Sequence, residues 1–233
     1  MSSVLLWGIT WAAALIIICP ARGACAGTET HILAFGDSLT AGYNLPPSKS
    51  FAAQLEQRLL DQRLPDQGRR VRVTNAGLSG DTTSGGRARL GWSLQDKPDL
   101  VILELGANDG LRGLDPVTMR ENLEAMIKEC QQAGARIILA GMRAPVNWGE
   151  TYRQEFERVF PELAEKHGLP LYPFFLDGVI GNSALLLDDG LHPNADGVGR
   201  IVDGILPLVL EQMNELDGRK QPMTGTGNKQ ENS

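Results

Sequence analysis

The chain has 233 residues, with 22 Lys and Arg against 28 Asp and Glu, a formal net charge of −6, and 42% hydrophobic against 21% charged side chains. Those proportions suit a soluble globular chain of one large domain or two small ones, and the acidic balance excludes a nucleic-acid binder that works through a basic face. Three Cys with no C-x-x-C pair exclude a disulfide scaffold and speak against structural zinc, and three His leave few candidates for imidazole chemistry.

Residues 4–19 form an apolar run, shorter than the roughly 20 residues that a membrane span needs. Pro20 breaks it and Ala24-Cys25-Ala26 comes next, which predicts a secretory signal cleaved near Ala26 and a periplasmic or secreted protein. Lipidation at Cys25 is the alternative, but Arg22 stands where lipoprotein signals carry an aliphatic residue. Cleavage removes one basic residue, Arg22, and two of the Cys, so the charge deepens by one and Cys130 remains alone. Within a helical pattern, that thiol is expected to be a small core residue rather than a nucleophile.

Beyond the signal, β-rich apolar runs alternate with helical periodicity. A buried strand is predicted at 31–35 (HILAF), then a helix at 50–64 with Phe51, Leu55, Leu59 and Leu60 at helical spacing. A strand at 71–75 precedes the strongest strand, 99–105 (DLVILEL), apolar enough to be covered on both faces. A helix at 116–133 opens on Pro116 and closes at Gly134. Strand 136–140, helix 151–167 ending at Gly168, short strand 169–172 and helix 195–213 complete the order. Residues 217–233 are rich in Gly, Lys, Gln, Asn, Thr and Ser and are expected to be disordered. The organisation is therefore a signal at 1–26, one domain at 27–216 and a tail at 217–233. Strand and helix in alternation predict an α/β fold whose parallel sheet carries helices on both faces, with ligands at the carboxyl ends of the strands.

The loops at those carboxyl ends carry the chemistry. After the first strand comes Gly36-Asp37-Ser38-Leu39-Thr40, after the second Ser79-Gly80-Asp81, after the third Gly106-Ala107-Asn108-Asp109. Near the C-terminus stands Asp188-Asp189-Gly190-Leu191-His192-Pro193. A Ser hydroxyl becomes a nucleophile only when a base takes its proton and a third group holds that base. His31 starts a strand and His167 ends a helix, where solvation or capping accounts for them. His192 has Asp189 three residues earlier in one turn, so it is the candidate base for Ser38 and Asp189 its orienter, with Asp188 as the alternative. The Ser38 and Gly80 N–H groups and the Asn108 amide, from three strand ends, are the candidate oxyanion donors. No G-x-S-x-G elbow exists, because position 40 is Thr, and neither G-x-G-x-x-G nor a G-K-[ST] loop is present.

These blocks resemble the GDSL, or SGNH, hydrolase family: Gly-Asp-Ser-Leu with Ser38, then Gly80, Asn108 and the Asp189-x-x-His192 pair, in order. Ser79-Gly80-Asp81-Thr82, Asn108-Asp109-Gly110-Leu111-Arg112-Gly113, Pro173-Phe174-Phe175 and His192-Pro193-Asn194 make it most similar to the bacterial periplasmic thioesterase I/lysophospholipase, arylesterase-like type. The resemblance spans about residues 33–210. It implies a three-layer α/β/α sandwich, flavodoxin-like with about five parallel strands, and a serine esterase that needs no metal or other cofactor. Ala107 departs from the Gly usual before the Asn, and Ala144 stands where relatives often carry a larger apolar residue.

The expected function is hydrolysis of carboxylic esters or thioesters through an acyl-enzyme; a carbohydrate or peptidoglycan O-acetylesterase of the same mechanism is the alternative. Leu111, Leu114, Val146 and Trp148 are candidate acyl-site residues, although core packing accounts for some of them equally well. Trp and Tyr are scarce around the motifs, which favours a hydrophobic acyl substrate over a sugar acetate. The expected partners are a small or lipid acyl ester and, transiently, a lipid surface; no nucleic acid is expected, and a monomer suits this size.

Overall fold

A computed structural model describes residues 29–62 and 69–220. The expected signal, the end of the second predicted segment (63–64) and residues 221–233 lie outside the described residues. Five parallel strands, β1 (Glu29–Gly36), β2 (Arg70–Gly77), β3 (Leu100–Glu104), β4 (Arg136–Ala140) and β5 (Leu171–Tyr172), form one sheet in the order β2-β1-β3-β4-β5. β1 and β3 are central and buried from Thr30 to Gly36 and from Leu100 to Glu104, with apolar stretches at 32–35 and 100–103, because helices cover both their faces. Edge strand β2 is mostly exposed or half-buried.

Among the described residues, eight α-helices surround the sheet. They are α1 (Ser38–Ala41), α2 (Phe51–Asp61), α3 (Thr83–Ser93), α4 (Ala107–Leu111), α5 (Pro116–Gln132), α6 (Glu150–Glu157), α7 (Val159–His167) and α8 (Ala195–Lys220). α2 packs on α8 over one face, while α5 packs between α3 and α7 over the other, which is the three-layer α/β/α sandwich. Phe51 and Phe175 meet edge-on at 5.1 Å, and Phe156 and Phe160 at 5.8 Å, all four fully buried. Cys130 is a buried free thiol of α5, and burial pushes it up to about 12, so it serves as packing rather than as a nucleophile.

Four expectations change. The helix predicted over 151–167 is two helices, because Pro161 has no N–H to give the Glu157 carbonyl, and α6 stops at Glu157. The predicted fifth strand shrinks to Leu171–Tyr172, after Pro170. α8 runs on to Lys220, so the first four residues of the expected disordered tail are helical, and Asp217 pairs with Arg69 at 2.8 Å. α3 was not foreseen: Gly85, Gly86 and Gly91 mask its periodicity, yet Thr83, Gly86 and Leu90 form its buried face. Gly86 is required there, since a Cβ would run into the Leu105 side chain.

The sheet order leaves a switch between β1 and β3. From β1 the chain crosses outward to β2 and then returns to β3 on the other side, opening a crevice at the carboxyl ends of the central strands. Ser38 comes directly after β1 and Asn108 after β3, so both stand at that crevice.

Candidate active site

The turn after β1 is fixed by small residues and buried acids. Gly36 has no room for a side chain, since a Cβ would collide with Thr40 Oγ1, Glu104 Oε2 and the Glu104 carbonyl. Asp37, fully buried, accepts the Leu39 N–H at 3.0 Å and the Asn108 Nδ2 amide at 3.1 Å. That cap presents Ser38 at the first position of α1. Within the described residues neither the Ser38 nor the Gly80 N–H finds a protein acceptor. Gly80 holds φ +82°, a left-handed conformation suited to Gly, and its carbonyl accepts Arg112 Nη2 at 2.9 Å.

The loop before α8 brings the third part. Asp189 Oδ1 accepts the N–H groups of Leu191 and His192, each at 2.9 Å, and Oδ2 lies 2.7 Å from His192 Nδ1. Those two N–H groups and the imidazole hold the Asp189 carboxyl down to about 2, so it is charged across the working range. His192 Nε2 then lies 3.0 Å from Ser38 Oγ. The ring's hydrogen bond goes to Asp189 and not to the alternative, Asp188. The Tyr43 ring stacks on His192 at 4.4 Å, tilted by 34°, which restrains the imidazole from the other side.

A cleft of about 580 Å³ opens over Ser38. Ser38, Gly80, Asn108 and His192 line it, as do Leu111 and Val146 among the candidate acyl-site residues. Leu114 and Trp148 do not line it. Trp148 donates its indole N–H to the Gly110 carbonyl at 2.9 Å and lies against Gly113, and the Leu114 carbonyl accepts the Tyr152 hydroxyl at 2.8 Å, so both brace the loop after α4 from behind. The cleft wall also contains Tyr43, Met142, Ala144, Phe174, Leu176 and Ile180. Arg143 lies over the Phe174 ring at 4.4 Å. Of these, Ala144 is the position already singled out in the sequence, and Phe174 of the Pro173-Phe174-Phe175 block could have been proposed from it. Tyr43 shows that the scarcity of Tyr near the motifs was a poor guide.

The other two imidazoles are structural. His31 is buried in β1 with Nε2 2.8 Å from Thr74 Oγ1, which corrects the expectation of a solvated or capping side chain. His167 precedes the left-handed Gly168 at the end of α7 and faces Glu124 at 3.5 Å. Among the described residues no cluster of His, Cys, Asp and Glu is arranged to hold a metal ion.

A profile of the GDSL-like lipase/acylhydrolase family matches residues 34–200. The chain belongs to that family. An arylesterase of Vibrio mimicus is 42% identical over 174 residues, 74% of this chain and 84% of the relative. A thioesterase 1/protease 1/lysophospholipase L1 of Escherichia coli strain K12 is 36% identical over 189 residues, 81% and 86% of the two chains. The crystal structure of TesA superposes with a TM-score of 0.71 at 38% identity, covering 78% of this chain and 99% of that one. As a member of this family the chain is an ester-cleaving hydrolase, and the sandwich with its β1/β3 crevice is the family's fold.

Proposed function

We propose that the chain is an exported serine hydrolase of apolar acyl esters and thioesters, working through an acyl-enzyme. The observation that carries this reading is the single imidazole bridging Ser38 Oγ at 3.0 Å and the Asp189 carboxylate at 2.7 Å. Ser38 Oγ attacks the substrate carbonyl carbon while His192 Nε2 takes the hydroxyl proton. Asp189 holds Nδ1 protonated and stabilises the imidazolium that forms. The negative charge of the tetrahedral intermediate falls on the former carbonyl oxygen, toward the Ser38 and Gly80 N–H groups and the Asn108 amide. Collapse breaks the bond to the leaving oxygen or sulfur, which receives the proton from His192. Water then attacks the acyl-serine with His192 again as base, releasing the acid and restoring Ser38.

The apolar wall formed by Leu111, Val146, Met142 and Phe174 supports an acyl chain rather than a sugar as the recognised group. Hydrolysis of chromogenic esters from about two to about sixteen acyl carbons, wild type against Ser38→Ala, tests the assignment. Ser38→Ala should lower kcat by at least about 10³-fold; equal rates for the two proteins would sink it. A panel of acetylated sugars run beside the esters decides between acyl and sugar substrates. Faster turnover of the sugar acetates would replace this reading with the O-acetylesterase one.

A further inference from the structure

Against the turn that carries Ser38 lies an acid that the acyl-enzyme cycle does not use. Glu104, the last residue of β3, is fully buried. Its Oε2 accepts the Thr40 hydroxyl at 2.8 Å and the Asp37 backbone N–H at 3.3 Å, both neutral donors. Oε1 is enclosed and has no hydrogen-bond partner among the described residues. The charged group facing this carboxyl is another carboxylate, Asp37, whose own hydrogen bonds go to Leu39 and Asn108. Arg89 reaches the same turn from α3, but its three nitrogens go to Asp81 and to the Ala76 and Gly36 carbonyls, none to Glu104.

A carboxylate in that setting would be a desolvated charge with only neutral donors, from Thr40 and the Asp37 backbone, and a like charge alongside. Together these favour the protonated form. Burial first, and then the Asp37 charge, push the Glu104 carboxyl well above the usual carboxylate range. Burial pushes Asp37 up as well, to about 6, but the Leu39 N–H, the Asn108 amide and the His192 imidazole all favour its ionised form, so it is the member of the pair that is charged at neutral pH.

We propose that Glu104 is a positioning residue that works as a neutral acid. Held neutral, it ties the Asp37 backbone and the Thr40 hydroxyl to the end of β3 and fixes the turn that carries Ser38, and its ionisation as pH rises sets the upper pH limit of activity. This rests on Ser38 being the nucleophile. Gly36 gives the device its geometry, since only a residue without Cβ lets the carboxyl sit against the turn.

The test compares wild type, Glu104→Gln and Ser38→Ala on a neutral short-chain ester from about pH 5 to about pH 11, with thermal unfolding at each pH. Glu104→Gln keeps the neutral shape and should hold kcat/KM within about threefold of wild type at pH 7. Above the pH at which Glu104 ionises, wild type should lose about tenfold per pH unit, while Glu104→Gln stays level. Tyr and Lys titrations are common to both proteins and cancel in the comparison.

The stability readout has a fixed sign. An acid whose folded value lies above its unfolded one holds a proton that the unfolded chain has released, so the folded state weakens as pH rises above about 4.3. Glu104→Gln should therefore gain in Tm over wild type with rising pH, the gap ceasing to widen once the folded Glu104 has itself ionised. Coincident alkaline limbs, or a loss of about 100-fold in Glu104→Gln at pH 7 with unchanged Tm, would overturn the proposal. Should Glu104→Gln not fold, the wild-type infrared spectrum decides. A protonated-carboxyl band at neutral pH that vanishes together with activity in alkali supports it, and absence of the band overturns it. Full activity in Ser38→Ala would instead remove the acyl-enzyme reading and leave the infrared result standing.

Discussion

The Asn108 side chain has two amide hydrogens, and one is taken by Asp37 Oδ2 at 3.1 Å. That bond restrains the orientation of an amide that lines the cleft. Its cost of reorganisation during reaction is therefore small, which is the condition under which a single donor contributes most to catalysis. Asn108→Ala should lower kcat by about 100- to 1000-fold with KM little changed. A rise in KM at constant kcat would mean that Asn108 binds the ground-state carbonyl instead. Residues of this kind were legible in the sequence because each sits in a short polar turn after a strand. Ile180 was not, because nothing near it in the chain sets it apart. It reaches the cleft on the loop before α8, which the fold brings beside Ser38 from a distant part of the chain.

Among the elements, α3 and α4 are the pair on which the loops of Gly80 and Asn108, the proposed oxyanion donors, rest. α4 is five residues long and α3 holds three Gly, so neither is stable by propensity alone. What ties them is buried Asp109, which accepts the Thr83 N–H at 2.9 Å and the Thr83 hydroxyl at 2.6 Å at the start of α3. Asn122 of α5 donates to the same hydroxyl at 3.3 Å. Asp109→Ala leaves the Thr83 donors buried without their acceptor and should cost about 2–3 kcal/mol in urea unfolding. Asp109→Asn, which can still accept from one of them, should cost less. An equal loss in both variants would show that the charge, not the acceptor, ties the helices. The clasp explains why α3 escaped prediction: its position is imposed by a tertiary contact, whereas the apolar runs of β1, β3 and β4 announce themselves locally. The break at Pro161 belongs to the legible class, since the missing N–H is written in the residue itself.

At the scale of the molecule, the order β2-β1-β3-β4-β5 gathers the loops after β1, β2, β3 and β4 and the loop before α8 around one crevice. Two of those loops bring Ser38 and His192, and two more bring Gly80 and Asn108. The loop after β4 brings none of the proposed reacting groups, only Met142, Arg143, Ala144, Pro145 and Val146 to the wall. Its contribution is thus shape, apolar surface and one guanidinium, that of Arg143, laid over the Phe174 ring. Each further CH₂ of an acyl chain buried there contributes about 0.8 kcal/mol, close to fourfold in kcat/KM, until the cleft is full. Ala144 is buried in that wall with a side chain of one carbon. Ala144→Leu puts three more carbons into the space, so the steep rise with chain length should end about two to three methylenes earlier than in wild type. Rates on the shortest esters should hardly change, because the reacting groups lie on other loops. A uniform fall across all chain lengths would instead place Ala144 beside the reacting carbonyl, and an unchanged profile would put the acyl chain on the opposite wall, along Leu176 and Ile180.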